Sequence, residues 1–174
     1  MSRLTVHAVE GGPAKLDSTE PNVIVPWLQG RGIRYLGLPP RPDSGDVLAD
    51  WADVVDALKS QFGFVTVDVA RLTPDHPDRA AIRAKFLSEH VHDDDEVRLF
   101  TQGGGGFFLR WDDVVAVMTC TAGDLLSVPK GQRHWFDAGE EPSFTAVRFF
   151  LIPEGWVARF TGDPIAAGFP AWTP

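Results

Sequence analysis

A single cysteine, Cys120, stands in the 174-residue chain. That excludes an internal disulfide framework and suits a reducing compartment, so the expected location is the cytoplasm. Because Cys120 closes the apolar run VVAVMTC, it is expected to be buried packing rather than a reactive thiol. No apolar run approaches the roughly 18 residues that a membrane-spanning helix needs. The stretch MSRLTVHAVEGGPAK also lacks the apolar core of a signal peptide. Basic residues are scarce: 16 Lys and Arg stand against 24 Asp and Glu, a formal net charge of -8. A surface of that sign repels phosphates, which argues against nucleic acid and against anionic membranes as partners. What remains is a chain 44% hydrophobic and 23% charged, long enough for a full core and read as one domain over 1–174.

Helical spacing is confined to the first half. Residues 1–63 read as a helical or mixed flank, 64–152 as a barrel core and 153–174 as a C-terminal segment. In SGDVLADWADVVDALKSQFGF the residues Val47, Leu48, Trp51, Val54, Val55, Leu58 and Phe62 recur helically, with Ser44 or Asp46 available as the cap. PDHPDRAAIRAK predicts a shorter helix opened by Pro77. From Phe64 onward the texture is β-prone: FVTVDVARL, FLSEHVH, EVRLFTQ, FFLRW, VVAVMTC, DLLSVP, HWFD and FTAVRFFLI, punctuated by turn formers. The prediction is a mainly β fold, a β-barrel with helices packed outside it. The glycine run Gly103 to Gly106 has neither the Gly-Lys-Ser/Thr nor the following helix of a phosphate loop. Flanked by strands, it predicts a hairpin turn.

One short stretch concentrates chemistry. FLSEHVHDDDEVRLFTQG holds two of the five histidines and five carboxylates. On a strand His90 and His92 point to the same side; Asp93 to Asp95 are turn formers, so parity alone does not place Glu96. Downstream, in GDLLSVPKGQRHWF, a Pro-x-Gly turn precedes His134 and can bring it opposite the first group. Three imidazoles and a carboxylate form a nitrogen/oxygen set suited to a divalent first-row metal, and the surplus carboxylates can raise cation affinity or orient the imidazoles. The competing reading is an acidic surface loop that contains histidines by chance. His7 and His76, isolated in loop-like contexts, are expected at the surface.

The two stretches together resemble the paired signature motifs of the cupin superfamily. The first is His-x-His, three residues, Glu, six residues, Gly; the second is Gly, five residues, Pro-x-Gly, two residues, His. Ala138 stands where that second motif often has Asn, a departure that touches no ligand. KFLSEHVHDDDEVRLF, HWFDAGEEPSFTAVRFF and PEGWVARFTGD are similar to the bacterial-type acireductone dioxygenases, over about Leu4 to Phe169 and most weakly at RYLGLPPRPDSG.

The resemblance implies a cupin jelly roll (a double-stranded β-helix) that holds one Fe(2+) or Ni(2+) per chain through His90, His92, Glu96 and His134. Arg98 matches the arginine that helps hold the substrate as its dianion. The implied partners are a small molecule and O2: the acireductone 1,2-dihydroxy-3-keto-5-methylthiopentene, consumed in methionine salvage. Iron would give 4-methylthio-2-oxobutanoate and formate; nickel would give 3-(methylthio)propanoate, formate and carbon monoxide. A monomer is expected. Phe86, Phe136 and Trp156 are candidates to line the pocket around the methylthio tail. Arg148, charged within an apolar strand, is either a second anion contact or an outward salt bridge. Glu89 and Asp95 adjoin ligands and are candidates to support them. Since one ligand set serves many chemistries, a different dioxygenase, a sugar isomerase and a non-catalytic ligand-binding cupin are the competing readings.

Overall fold

The computed structural model describes residues 1–173. Among them, strands β1 (Arg3–Ala8), β2 (Gly11–Ser18), β5 (His90–His92), β7 (Gly105–Arg110), β8 (Val114–Cys120), β10 (His134–Asp137) and β12 (Ala158–Phe160) form one sheet. Its order is β12-β5-β10-β7-β8-β1-β2. The second sheet runs β3-β9-β6-β11-β4. Its strands are β3 (Arg34–Gly37), β9 (Asp124–Val128), β6 (Glu96–Gly103), β11 (Phe144–Phe150) and β4 (Thr66–Leu72). Every pairing is antiparallel. The sheets stack as a cupin-type jelly roll without closing into one continuous ladder. The predicted flank is mixed: besides helix α1 (Pro21–Gln29) it supplies β1 and β2 to one sheet and β3 to the other.

Both sheets are covered on both faces, which is why their strands read as nearly continuous apolar runs. Alternation divides the work. On β6, Phe100 faces inward to the core shared with Phe107, Phe136 and Phe144, whereas Val97 and Leu99 face outward. That outer face is roofed by α2 (Val47–Asp50) and α3 (Ala52–Phe62) through Trp51 and Val55. The helical stripe is therefore real but interrupted at Trp51, whose φ of -116° and ψ of 16° leave the helix. Asp46 caps α2 by accepting from the Ala49 amide at 3.1 Å. Helix α4 (Arg79–Phe86) starts after Pro77, and Phe86 closes it, so the run FLSEHVH is strand only at His90–His92. On the seven-stranded sheet the outward side chains Phe108, Val115 and Trp135 are covered by Ile165, Phe169 and Trp172 of the C-terminal segment.

The hairpin expected at Gly103 to Gly106 does not form. The partners of β6 are β9 and β11, and those of β7 are β8 and β10, so the glycines carry the chain from one sheet to the other. The reason is space. A Cβ on Gly103 would overlap the Ser143 carbonyl, one on Gly104 the Cys120 carbonyl, and one on Gly106 would lie 2.6 Å from the Trp172 ring. Only bare backbone passes between the layers there. Cys120 is fully buried as expected, and burial pushes its thiol pKa well up.

Candidate metal centre

The four predicted ligands meet between the sheets. His90 and His92 sit on β5, and His134 on β10 lies directly opposite His90 in the ladder. Glu96 comes from the facing sheet, because Asp93 to Asp95 carry the chain from one sheet to the other before β6 begins. The Pro129–Gly131 turn does the reverse for His134. Gly131, at φ 76°, donates its amide to the His92 carbonyl at 3.0 Å and so ties the two histidine segments together. One nitrogen or oxygen from each of His90, His92, Glu96 and His134 lies within 4.8 Å of all the others.

The imidazoles are turned by backbone, not by carboxylates. Nδ1 of His90 donates to the Ser88 carbonyl at 2.8 Å, that of His134 to the Gln132 carbonyl at 2.8 Å, and that of His92 to the Val157 carbonyl at 3.1 Å. A carbonyl can only accept, so Nδ1 carries a hydrogen in each ring and Nε2 is the nitrogen turned toward the cluster. Burial lowers the His92 pKa and takes that of His90 to about 4, so both are neutral at physiological pH. Burial alone would raise the Glu96 pKa; Arg98, and then His134, outweigh it and hold the carboxyl well below its usual range. Although His134 Nε2 and Glu96 Oε2 are 2.7 Å apart, neither makes a hydrogen bond of acceptable geometry to any protein group. Buried polar atoms are seldom left so, and lone pairs aimed at a common point fit a divalent cation.

A cavity of about 800 Å³ opens over the cluster. Phe86, Phe150, Trp156 and Phe160 give it a chiefly apolar wall, and Lys85, Arg98 and Arg148 bring positive charge to it. Arg98 is buried, paired with Glu96, with its guanidinium 5.2 Å from the Phe136 ring centre and 5.4 Å from that of Phe107. Burial pulls its pKa down from the usual value, yet a guanidinium stays charged at neutral pH. Its Nε has no hydrogen-bond partner among the described residues. Arg148, paired across the ladder with Arg98, is bound bidentately to Asp68 at 2.7 and 2.8 Å and still faces the cavity. The salt bridge drawn for Arg148 is present, with Asp68, but both partners line the cavity instead of pointing outward.

Two expectations need correction. Phe136 is core, only 2% exposed and absent from the cavity wall; its ring packs beneath Arg98. Glu89 and Asp95 bond to no imidazole. The Glu89 carboxylate takes Arg110 at 2.9 Å and the Thr161 hydroxyl at 2.7 Å, whereas Asp95 accepts from the Lys130 amide at 2.9 Å. Sequence reasoning missed Phe150, Phe160 and Asp68 as parts of the cavity, and Asp94, which is buried beside it. An alternating strand gave a signal for Phe150, which shares parity with Arg148; a three-residue β12 offers no periodicity for Phe160. His7 and His76 lie half-buried and away from the cluster.

A jelly roll with three imidazoles and one carboxylate gathered between its sheets defines the cupin class. Residues 48–158 match the family model described as the ARD/ARD' family. The chain is 55% identical over 183 residues to the acireductone dioxygenase of Parasynechococcus marenigrum, covering 98% of each. It is 48% identical over 178 residues to that of Granulibacter bethesdensis, covering 98% of this chain and 99% of the relative. Among solved structures it is similar to an acireductone dioxygenase from Bacillus anthracis with a cadmium ion in its active centre. The TM-score is 0.79 at 27% identity, over 92% of this chain and 98% of the other. The chain belongs to the ARD/ARD' family.

Proposed function

We propose that this chain is an acireductone dioxygenase of methionine salvage, joining 1,2-dihydroxy-3-keto-5-methylthiopentene with O2 at one divalent metal held by His90, His92, Glu96 and His134. The observation that carries the reading is the convergence of three Nδ1-anchored imidazoles with Glu96 at the floor of a positively charged cavity. It is supported by the names of the relatives. A divalent ion held by these four residues would supply Lewis-acid chemistry suited to an electron-rich enediolate.

The chain's own residues do the rest. Arg98, permanently charged and buried, favours the anionic substrate over the neutral one and fixes its oxygens by hydrogen bonds from a rigid fork. Its packing against Phe107 and Phe136 holds the fork in place beside Glu96. Arg148 adds a second positive charge whose strength Asp68 tempers. Phe86, Trp156 and Phe160 exclude water around the methylthio tail, which strengthens every charge interaction within the cavity.

The reading includes two product sets, chosen by which metal occupies the site. Iron would yield 4-methylthio-2-oxobutanoate and formate, and nickel 3-(methylthio)propanoate, formate and carbon monoxide. Each set accounts for every atom of the acireductone and O2, with no external reductant. The donor set contains no thiolate and discriminates little between the two ions, so supply decides. The test is to strip the protein, reload batches anaerobically with iron or nickel, and add synthetic acireductone in air. Substrate consumption in both, with carbon monoxide from the nickel batch alone, is expected. Failure to consume acireductone in either batch overturns the activity, and carbon monoxide from both or neither overturns the metal choice.

A further inference from the structure

Three consecutive aspartates, Asp93, Asp94 and Asp95, separate His92 from Glu96, and none of them reaches toward the metal centre. Each tethers a different piece of backbone or surface around it. Asp93 pairs with Arg159 of β12 at 2.6 Å, both side chains more than half exposed. Asp95 takes the Lys130 amide in the turn that leads to His134. Asp94, only 4% exposed, does something different. Its Oδ2 accepts from the amides of Leu151 at 2.6 Å and Ile152 at 3.0 Å, while its Oδ1 takes the Asp95 amide at 2.8 Å. The loop it holds, 151–157, carries Trp156 and Val157 on the cavity wall, and the Val157 carbonyl is the group that orients His92. Gly155 lies so close that a Cβ there would stand 2.5 Å from Asp94 Oδ2.

We propose that Asp94 is a positioning residue: its buried carboxylate pins the 151–157 loop, and with it the Trp156–Val157 wall that receives the substrate's tail. This rests on the proposed acireductone activity. The physical case is that a carboxylate accepting three amide hydrogens makes charge-assisted bonds, and nothing comparable holds the loop elsewhere. Its remaining backbone bonds are two turns, Gly155 to Ile152 at 3.1 Å and Val157 to Glu154 at 3.0 Å, and the bond its Val157 carbonyl accepts from the neutral donor His92 Nδ1 at 3.1 Å. Leu151, Ile152, Trp156 and Val157 are all substantially exposed, so apolar packing does not fix it either. Without Asp94 the wall has few reasons to stay in place.

Asp94→Asn tests this with almost no change of volume. An amide can keep an oxygen toward Asp95 or toward Leu151 and Ile152, and in either case its NH2 faces a donor. Gly155→Ala attacks the same contact from the loop side and stands in should the first variant fold poorly. Asp93→Asn, on the exposed pair, is the control. Hydrogen–deuterium exchange is expected to accelerate across 151–157 in the first two variants and not in the control, with the strands unchanged. KM for the methylthio-tailed acireductone should rise on the order of tenfold, the scale of lost pocket contacts. KM for an acireductone lacking the tail should rise much less. Unchanged exchange at 151–157 in both variants, or an equal KM rise for the two substrates, overturns the proposal. A wild type that ignores acireductone would instead remove the functional reading, while the exchange measurement still decides whether Asp94 holds the loop.

Discussion

The interior of this jelly roll has two ends built by the same strands. On β6, Glu96 and Arg98 give way to Phe100; on β10, His134 gives way to Phe136. At the apolar end Phe136 packs 4.9 Å from Phe107 and 5.6 Å from Phe144, ring centre to ring centre, and nothing polar is left over. At the other end Glu96 Oε2, Arg98 Nε and His134 Nε2 are buried without hydrogen-bond partners. Leaving such groups unpaired costs about 1–3 kcal/mol each. The contrast shows a division of labour along single strands. The aromatic end holds the backbone rigid, and that rigidity keeps unsatisfied groups in place at the other end, ready for ligands that the protein does not itself supply.

The largest effect should come from breaking the polar end outright. His134→Ala removes one of four donors and is expected to lower metal affinity by more than the roughly 10–100-fold typical of losing an outer partner. Turnover should disappear with it. Elemental analysis showing full metal content in the variant would remove His134 from the ligand set. At the apolar end, Phe136→Ala should destabilise the fold by about 3–5 kcal/mol through the cavity it leaves, measured by urea unfolding. A smaller loss, on the order of 1 kcal/mol, would mean that Phe136 belongs to the pocket and not to the core.

Arg98 stands at the border of the two ends and sharpens the comparison. Arg98→Met keeps the stem over the rings and removes the charge, so metal content should persist. kcat/KM should drop about 10²–10³-fold, as when a group that stabilises developing negative charge is lost. Near wild-type kcat/KM would return Arg98 to the core as mere packing. A fold that fails without it would show that burying Glu96 alone is the greater problem.

How much of this is legible in the sequence follows from the range of the forces involved. The histidines were legible as candidates because His-x-His and the Pro-x-Gly turn are local; Glu96, beyond the turn formers Asp93 to Asp95, was placed in the set only through the family resemblance. Strands such as VVAVMTC and FTAVRFFLI were legible because composition announces them. The glycine crossover was not: what demands Gly103 and Gly104 is the carbonyls of Ser143 and Cys120, remote in sequence. Phe136 looked like a pocket aromatic because it is two residues past a ligand, but alternation along a strand that descends into the core buries it. The aspartates looked like an acidic reservoir for a cation. Instead Asp94 and Asp95 hold amides of distant loops and Asp93 pairs with Arg159, partners that composition cannot display. The C-terminal cover was equally hidden, since Phe169 and Trp172 dock without regular structure.

That cover supplies the smallest expected effect, visible only as a trend with pH. Asp137, at the end of β10, is 1% exposed and gathers three segments: Arg83 of α4 at 2.7 and 3.0 Å, the Gly139 amide at 2.9 Å and the Trp172 amide at 2.9 Å. Burial alone would raise its pKa; the Arg83 pair and the two amides more than reverse this, so the folded-state value lies below the usual one. A depressed carboxyl pKa means that the unfolded chain takes up the proton first as acid is added. Its contribution to stability is therefore complete above the unfolded value of about 4 and is lost as pH falls through the lower folded value. Asp137→Asn should be less stable than wild type at pH 7, and the gap between their urea midpoints should narrow below about pH 4. The narrowing should be accompanied by freer exchange at Trp172, because its amide is held by the same carboxylate, while the aromatic end of the interior stays protected. A gap that remains constant down to pH 3 would show that Asp137 acts by shape alone and that its charge contributes nothing to closing the outer face.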